Sequence, residues 1–114
     1  IAIRGRLAEA GAALSRATHQ ILNAAKINPE TAYAGAVPYL FLAGTVLGGY
    51  YMARSALIAE TRLSKAEINN PKFYEAKIAT ALNFSETILP ETSALEKAAT
   101  SGGAVVANTR IDLI

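Results

Sequence analysis

Hydrophobic positions along the first quarter of the chain recur at alternating spacings of four and three residues. This period is typical of a helix that buries one stripe against neighbouring helices. The pattern predicts a helix over about Ile3 to Lys26, with the charged side chains outside the stripe. The stripe consists of Ile3, Leu7, Ala10, Leu14, Ala17, Ile21 and Ala24.

Two Asn-Pro pairs predict where the next two helices begin. Asn can cap free N–H groups, and Pro suits a first helical turn. Asn28-Pro29 precedes a helix that we expect to run to about Glu67, with a kink or a broken turn near Pro38, which lacks an N–H. Asn70-Pro71 precedes a helix that we expect to reach about Leu89.

The distribution of apolar residues predicts how deeply these two helices are buried. Between Tyr39 and Met52 apolar side chains occupy every face, which indicates a helix surrounded on all sides. Charges return from Arg54 onward, and only one face is predicted to stay buried there, through Ala53, Ala56, Leu57 and Leu63. In the following helix the predicted buried face comprises Tyr74, Ile78, Ala81, Leu82, Ile88 and Leu89.

The last part of the chain predicts one further short helix. Pro90 ends the preceding helix and can begin another, with Glu91 in its first turn. That Ala-rich segment is interrupted by Gly102-Gly103, and the final four residues are ambiguous. No repeat or linker divides the sequence, so residues 1–114 are predicted to be a single domain. The predicted fold class is all-α, an antiparallel helical bundle of about four helices.

The uncharged stretch from Thr31 to Ala53 leaves open an alternative, because it is long enough to span a bilayer. A membrane-associated or membrane-spanning helical module is therefore the second interpretation. Gly44 and Gly48 form a G-x-x-x-G pair, which suits close crossings of membrane helices and of soluble helices alike. Pro38, tyrosines at the centre of the stretch and a helical pattern that continues past Arg54 favour burial in a soluble protein.

Composition narrows the classes of function. Apolar residues make up 52% and charged residues 18% of the chain, which is richer in apolar side chains than an average soluble domain. We therefore expect partner protein to cover part of the surface. The net charge is +2 with the two signs interspersed, which argues against nucleic-acid binding. The absence of cysteine excludes disulfides and fits a cytoplasmic location.

The sequence contains no combination of residues that makes an active site, so we predict no catalytic, cofactor-binding or metal-binding residue. His19 is the single histidine, and there is no cysteine to share a metal with it. Arg54 and Lys77 interrupt apolar neighbourhoods and are the two candidates for contact with a phosphate-bearing ligand. The more ordinary alternatives for both are an internal salt bridge or an aliphatic stem lying along apolar surface.

Two segments, AVPYLFLAGTVLGGYYMARSALIAE and FYEAKIATALNFSETILPE, resemble a known family. They are similar to the acetyl-CoA-dehydrogenase-like C-terminal domain, an all-helical extension that follows the acyl-CoA dehydrogenase core in a bacterial subgroup. The chain departs from that pattern at Leu82 and Asn83, where the family commonly has an Arg and an aromatic residue, and Tyr50 keeps the aromatic character of a position that is often Trp. The resemblance covers roughly residues 1–107 and rests on Pro38, Tyr39, Leu40, Gly44, Gly48, Gly49, Tyr50, Ala53, Arg54, Ala56, Lys77, Ala79, Ala81, Leu89 and Pro90.

The resemblance implies that the chain is the C-terminal part of a longer bacterial flavoenzyme of fatty acid metabolism. That oxidoreductase would remove two hydrogens from an acyl-CoA thioester and would hold FAD. Its catalytic base and its flavin and CoA contacts match no position here, so the implied role is non-catalytic support of core packing or subunit assembly. The implied partners are the chain's own dehydrogenase core and a homo-oligomer, with acyl-CoA reached only through the longer protein and with no membrane. The absence of an initiator Met agrees with a fragment.

Overall fold

A computed structural model of the chain describes residues 2–65 and 69–101, together with the single residues 105 and 109. The described part contains no β-strand, and the prediction of an all-α helical bundle is confirmed. Its helices are α1 (Ala2–Ile27), α2 (Pro29–Ala34), α3 (Ala36–Leu63), α4 (Pro71–Thr87) and α5 (Thr92–Thr100), with a 3₁₀ turn at Leu89–Glu91 between the last two.

The helices form three rods that lie side by side: α1, then α2 with α3, then α4 with α5. The first two rods are antiparallel, because the Thr18 hydroxyl lies 2.7 Å from that of Tyr39 while Leu7 packs beside Gly49. The radius of gyration is 18.6 Å, against roughly 13 Å for a compact domain of this length. The domain is therefore elongated.

The third rod runs antiparallel to α3 and in the same direction as α1. Arg6 pairs with Glu86 of α4, and Arg16 pairs with Glu96 of α5. Since both pairs have the same sequence offset, α5 continues the course of α4 and does not fold back on it. The prediction of an antiparallel bundle thus holds between α3 and each of its two neighbouring rods.

Local sequence accounts for the beginnings of α2 and α4 in two different ways. The side chain of Asn28 accepts a hydrogen bond of 3.2 Å from the N–H of Glu30, as predicted for a capping residue. Asn70 makes no such bond. It adopts a left-handed backbone conformation with φ at 61°, which Asn tolerates better than most residues. The position of the helix start is confirmed, but capping by Asn70 was the wrong reason for it.

The predicted break near Pro38 is confirmed and falls three residues earlier, at Gly35, between α2 and α3. Pro38 lies in the first turn of α3, where it cannot donate a hydrogen bond to the Ala34 carbonyl. At the other end α3 stops at Leu63, shorter than predicted. Residues 66–68, 102–103 and 111–114, on which other predictions fall, lie outside the described residues.

The core is built mainly from small side chains, which allow the rods to approach closely. Leu42 and Leu89 are its only large apolar side chains among the described residues that are fully buried. The predicted stripe of α1 is confirmed at all seven positions, and Ala13 adds to it. The core comprises Ala10, Ala13, Ala17, Leu42, Val46 and Leu89, with Leu7, Leu14, Tyr39, Phe84 and Leu95 packed around it.

Three residues that were assigned to buried faces are exposed: Leu57, Leu82 and Ile88. Leu57 lies beyond the reach of α1. Because α1 is antiparallel to α3 and its Leu7 faces Gly49, Ala2 lies at about the level of residue 54, and no described residue of α1 lies beside Leu57. Leu82 and Ile88 lie at the edges of a buried face that centres on Ala81, Ser85 and Leu89.

Candidate functional site

The helix that was predicted to be surrounded on all sides, α3, is covered on one side only. Leu42, Val46 and Gly49 pack into the core. On the opposite side Leu40, Leu47 and Tyr51 are 69%, 55% and 62% exposed. The prediction is wrong for this chain by itself, because three rods give α3 two neighbours and leave its remaining face open.

The exposed face of α3 carries a second stripe, which we call the outer seam. Successive members are four, three, four, three and four residues apart, which is the period of helix-to-helix packing. At 100° per residue they fall within a sector of about 80° on the helix surface. The outer seam consists of Leu40, Gly44, Leu47, Tyr51, Arg54 and Ile58.

The apolar surface extends beyond the outer seam on α3, and no described helix covers it. Val37, Phe41 and Tyr50 widen it with further exposed apolar side chains. A contiguous apolar surface of this kind marks an interaction site in a soluble protein, unlike scattered single residues. By length and composition α3 could also cross a membrane, and only 17% of its most apolar 18-residue window is buried. Helices that pack inside soluble assemblies meet the same criterion, so this is weak evidence for a span.

Arg54 and Lys77, the two candidates for anion contact, are both exposed and each lies over an aromatic ring one turn earlier in its own helix. The Arg54 guanidinium carbon is 5.9 Å from the centroid of the Tyr50 ring, and the Lys77 Nζ is 5.3 Å from that of Phe73. Neither takes part in the ion pairs found among the described residues. Each therefore keeps its charge at the surface above an apolar ring, and anion contact stays a prediction.

A groove of about 380 Å³ separates α1 from the start of α5. The Arg16 guanidinium donates two hydrogen bonds across one end of it to the Glu96 carboxylate, of 2.8 and 2.9 Å. These bonds are the main reason why the pKa of Glu96 is lowered and that of Arg16 raised. The Thr92 hydroxyl in the groove donates to the Leu89 carbonyl. Most polar groups of the groove are thus hydrogen-bonded to other groups of this chain.

Among the described residues, three or more His, Cys, Asp or Glu side chains do not come together anywhere as a possible metal site. His19 is exposed on α1. The candidate functional feature is therefore the outer seam, which was not predicted from the sequence. The spacing of its residues can be found in the sequence. It does not stand out there, because apolar residues occupy the other faces of α3 as well.

The described part of the chain is thus an elongated all-α bundle with one open apolar face along α3. A family model described as "Acetyl-CoA dehydrogenase C-terminal like" matches residues 2–110. The chain belongs to this family of C-terminal domains of acyl-CoA dehydrogenases, and the resemblance inferred from its two segments is confirmed.

One curated relative is the 3-methylmercaptopropionyl-CoA dehydrogenase of Ruegeria pomeroyi, which is 42% identical over 101 residues. The match covers 89% of this chain but 17% of the relative, so the chain spans about one sixth of that protein's length. No solved structure matches the chain.

Proposed function

We propose that this chain is the non-catalytic C-terminal domain of an FAD-dependent acyl-CoA dehydrogenase and that it supports packing of the dehydrogenase core or assembly of the subunits. The observation that carries the proposal is the outer seam. A solvent-facing apolar stripe along α3 is accounted for when another protein surface covers it.

The relative gives this proposal its chemical context. That relative is an acyl-CoA dehydrogenase by name, and most of its length lies outside the match. Enzymes of that class generally use FAD to remove two hydrogens from an acyl-CoA thioester. In this proposal FAD, the acyl-CoA and the catalytic base belong to the core, and the protein acts in the bacterial cytoplasm. The domain contributes neither a reacting group nor a flavin contact.

The membrane alternative rests on the length and composition of α3 alone. Its opposite face packs against α1 and α4 through Leu42, Gly48 and Gly49, so only the outer seam could face lipid. The seam does not end with the uncharged stretch but continues past Arg54 to Ile58. The dehydrogenase family of the chain adds no support for a span. We therefore favour a protein partner, and lipid binding becomes an outcome of the tests below.

Truncation of the full-length dehydrogenase tests the supporting role. The protein without residues 1–114 is compared with the intact protein for soluble yield, oligomer mass and turnover with acyl-CoA and an artificial electron acceptor. We expect lower yield, altered mass or both, because the core would expose the surface that this domain covers. A truncated enzyme that is soluble, assembled and fully active would contradict the proposal.

The chain by itself should neither bind FAD tightly nor oxidise acyl-CoA. The expected measurements are an unchanged flavin fluorescence on titration with the chain and no reduction of an artificial acceptor. A full-length sample measured in parallel serves as the positive control. Turnover by the 114-residue chain alone would overturn the non-catalytic assignment.

A further inference from the structure

The spacing of the apolar residues in the outer seam indicates what kind of surface covers it. Apolar side chains at alternating spacings of four and three match the rows of another α-helix, whereas a sheet or an irregular surface sets no such period. The same helix already uses one stripe of this kind toward α1, where Leu42, Val46 and Gly49 lie. The occupant of the outer seam is therefore expected to be helical.

Gly44 adds an independent indication of close packing there. A Cβ placed on Gly44 would meet nothing within 4 Å, so the bundle itself does not require glycine at this position. Glycine inside a helix is less favourable than alanine. A helix that packs closely on α3 at Gly44 would account for the absence of a side chain there, as the Phe84 ring does at Gly48 on the other side.

The charges on the outer face distinguish the possible helical occupants. Arg54 lies within the seam and Arg62 extends it by one further turn. The single carboxylate of α3, Glu60, lies about 160° round the helix from the centre of the seam. A second copy docked seam to seam would bring the two arginines of its own α3 to the contact and no carboxylate of that helix. Complementarity favours a different helix that carries acidic residues.

We propose that the outer seam docks against an amphipathic α-helix of the dehydrogenase core, which presents apolar residues to Leu40, Leu47 and Tyr51 and a carboxylate to Arg54. This inference rests on the proposed function and names the surface through which it is exerted. Most of the length of the dehydrogenase relative lies outside the matched segment, and that part holds the candidate helix. The outer seam is then buried in the full-length protein and open in the isolated domain.

Cysteine labelling tests the burial directly, since this chain contains no cysteine of its own. Leu47→Cys places a thiol in the seam, and Ser15→Cys places one on the exposed face of α1 as the matched control. Labelling by iodoacetamide is followed by mass spectrometry of the modified peptide, in the full-length protein and in the 114-residue chain. Ile58→Cys provides a second seam position in case Leu47→Cys perturbs docking.

In the full-length protein we expect Leu47→Cys to react at least about tenfold more slowly than Ser15→Cys, because labelling must wait for the helix to undock. In the 114-residue chain the two rates should be similar. Equal rates at both seam positions and Ser15→Cys in the full-length protein would overturn the inference.

Protection that appears in the 114-residue chain as its concentration rises would instead identify a second copy. Protection that requires added anionic vesicles would identify a membrane. Either result would overturn the proposed occupant.

Two further variants test the charge, and one comparison separates this inference from the proposed function. Arg54→Glu in the full-length protein should raise the labelling rate of Leu47→Cys several-fold, and Arg54→Lys should not. Equal rates for the two variants would overturn the choice of an acidic partner helix.

If truncation impairs assembly while Leu47→Cys is labelled as fast as the control, the supporting role stands and docking through the outer seam is refuted.

Discussion

Gly35 is required for space and not for backbone conformation, since its φ of −89° is open to any residue. A Cβ at this position would collide with the main-chain carbonyl oxygen of Ala99 in α5. A backbone atom cannot move aside as easily as the end of a flexible side chain can. This contact is what fixes the end of the third rod on the α2–α3 junction.

Gly35→Ala should therefore destabilise the domain by about 1–3 kcal/mol, the usual cost of overpacking. Thermal or urea unfolding followed by circular dichroism gives the free energy of unfolding. Gly5→Ala is the control, because a Cβ there meets nothing within 4 Å, and it should be neutral or stabilising by up to about 1 kcal/mol. Equal free energies of unfolding for Gly35→Ala and the unmodified chain would refute the close approach of α5.

The Arg16–Glu96 pair makes a small part of the stability depend on pH. The pKa of Glu96 lies below its ordinary value of 4.5, chiefly through its hydrogen bonds from Arg16. A carboxyl whose pKa is lower in the folded state stabilises the fold above its unfolded pKa, and this contribution is lost as pH falls through the folded value. Glu96→Gln removes the contribution.

Glu96→Gln should lower the melting temperature slightly at pH 7, and the difference from the unmodified chain should shrink as pH falls below about 4.5. The effect is small because Arg16 is largely exposed to solvent. Glu75→Gln, at an exposed position of α4, is the control. A difference for Glu96→Gln that stayed constant down to pH 2 would contradict this role of the ion pair.

At the scale of the helices, the packing of α3 on α4 depends on Gly48. A Cβ there would lie 3.2 Å from the Phe84 ring, so Gly48→Leu must displace that ring or separate the helices. We expect a loss of about 1–3 kcal/mol in urea unfolding. Gly44→Leu, one turn away on the open face, is the matched control and should cost much less in the 114-residue chain. Equal losses for the two variants would show that no helix approaches at Gly48.

The sequence predicted helix starts well because they depend on neighbouring residues. Asn28-Pro29 and Pro71 mark them, and Pro38 marks the break at the head of α3. The course of α5 could not be read in this way. Whether the turn at Pro90 folds the chain back or lets it continue is decided by packing, here by the contact of Ala99 with Gly35 and the pairing of Glu96 with Arg16.

Burial was harder to predict than helix position. Leu57 has the same surroundings in the sequence as a buried residue, and it is exposed because no described residue of α1 lies beside it. Ser85 is buried although it is polar, since its hydroxyl donates a hydrogen bond to the Leu82 carbonyl within the helix. The burial of these residues depends on how the rods are placed relative to one another, which the spacing of residues along one helix does not reveal.

For the whole molecule, the sequence indicated correctly that α3 is apolar on every side but not which molecule covers each side. Leu42 and Val46 are covered within this chain, whereas Leu40 and Leu47 are exposed. The two segments that carry the family resemblance include residues of both faces. The sequence thus predicted the family more readily than it predicted which face of α3 stays open.

If this domain supports a dehydrogenase core through the outer seam, the two pieces should reassemble after they are produced separately. The truncated core is mixed with the separately produced 114-residue chain at up to about 1 mM, the effective concentration that a short linker provides. Oligomer mass is followed by sedimentation velocity and turnover by acceptor reduction. We predict that the unmodified chain and Ser15→Glu bind the core and restore mass and activity, and that Leu47→Glu does neither. Failure of the unmodified chain to bind, or equal binding by Leu47→Glu, would contradict the account.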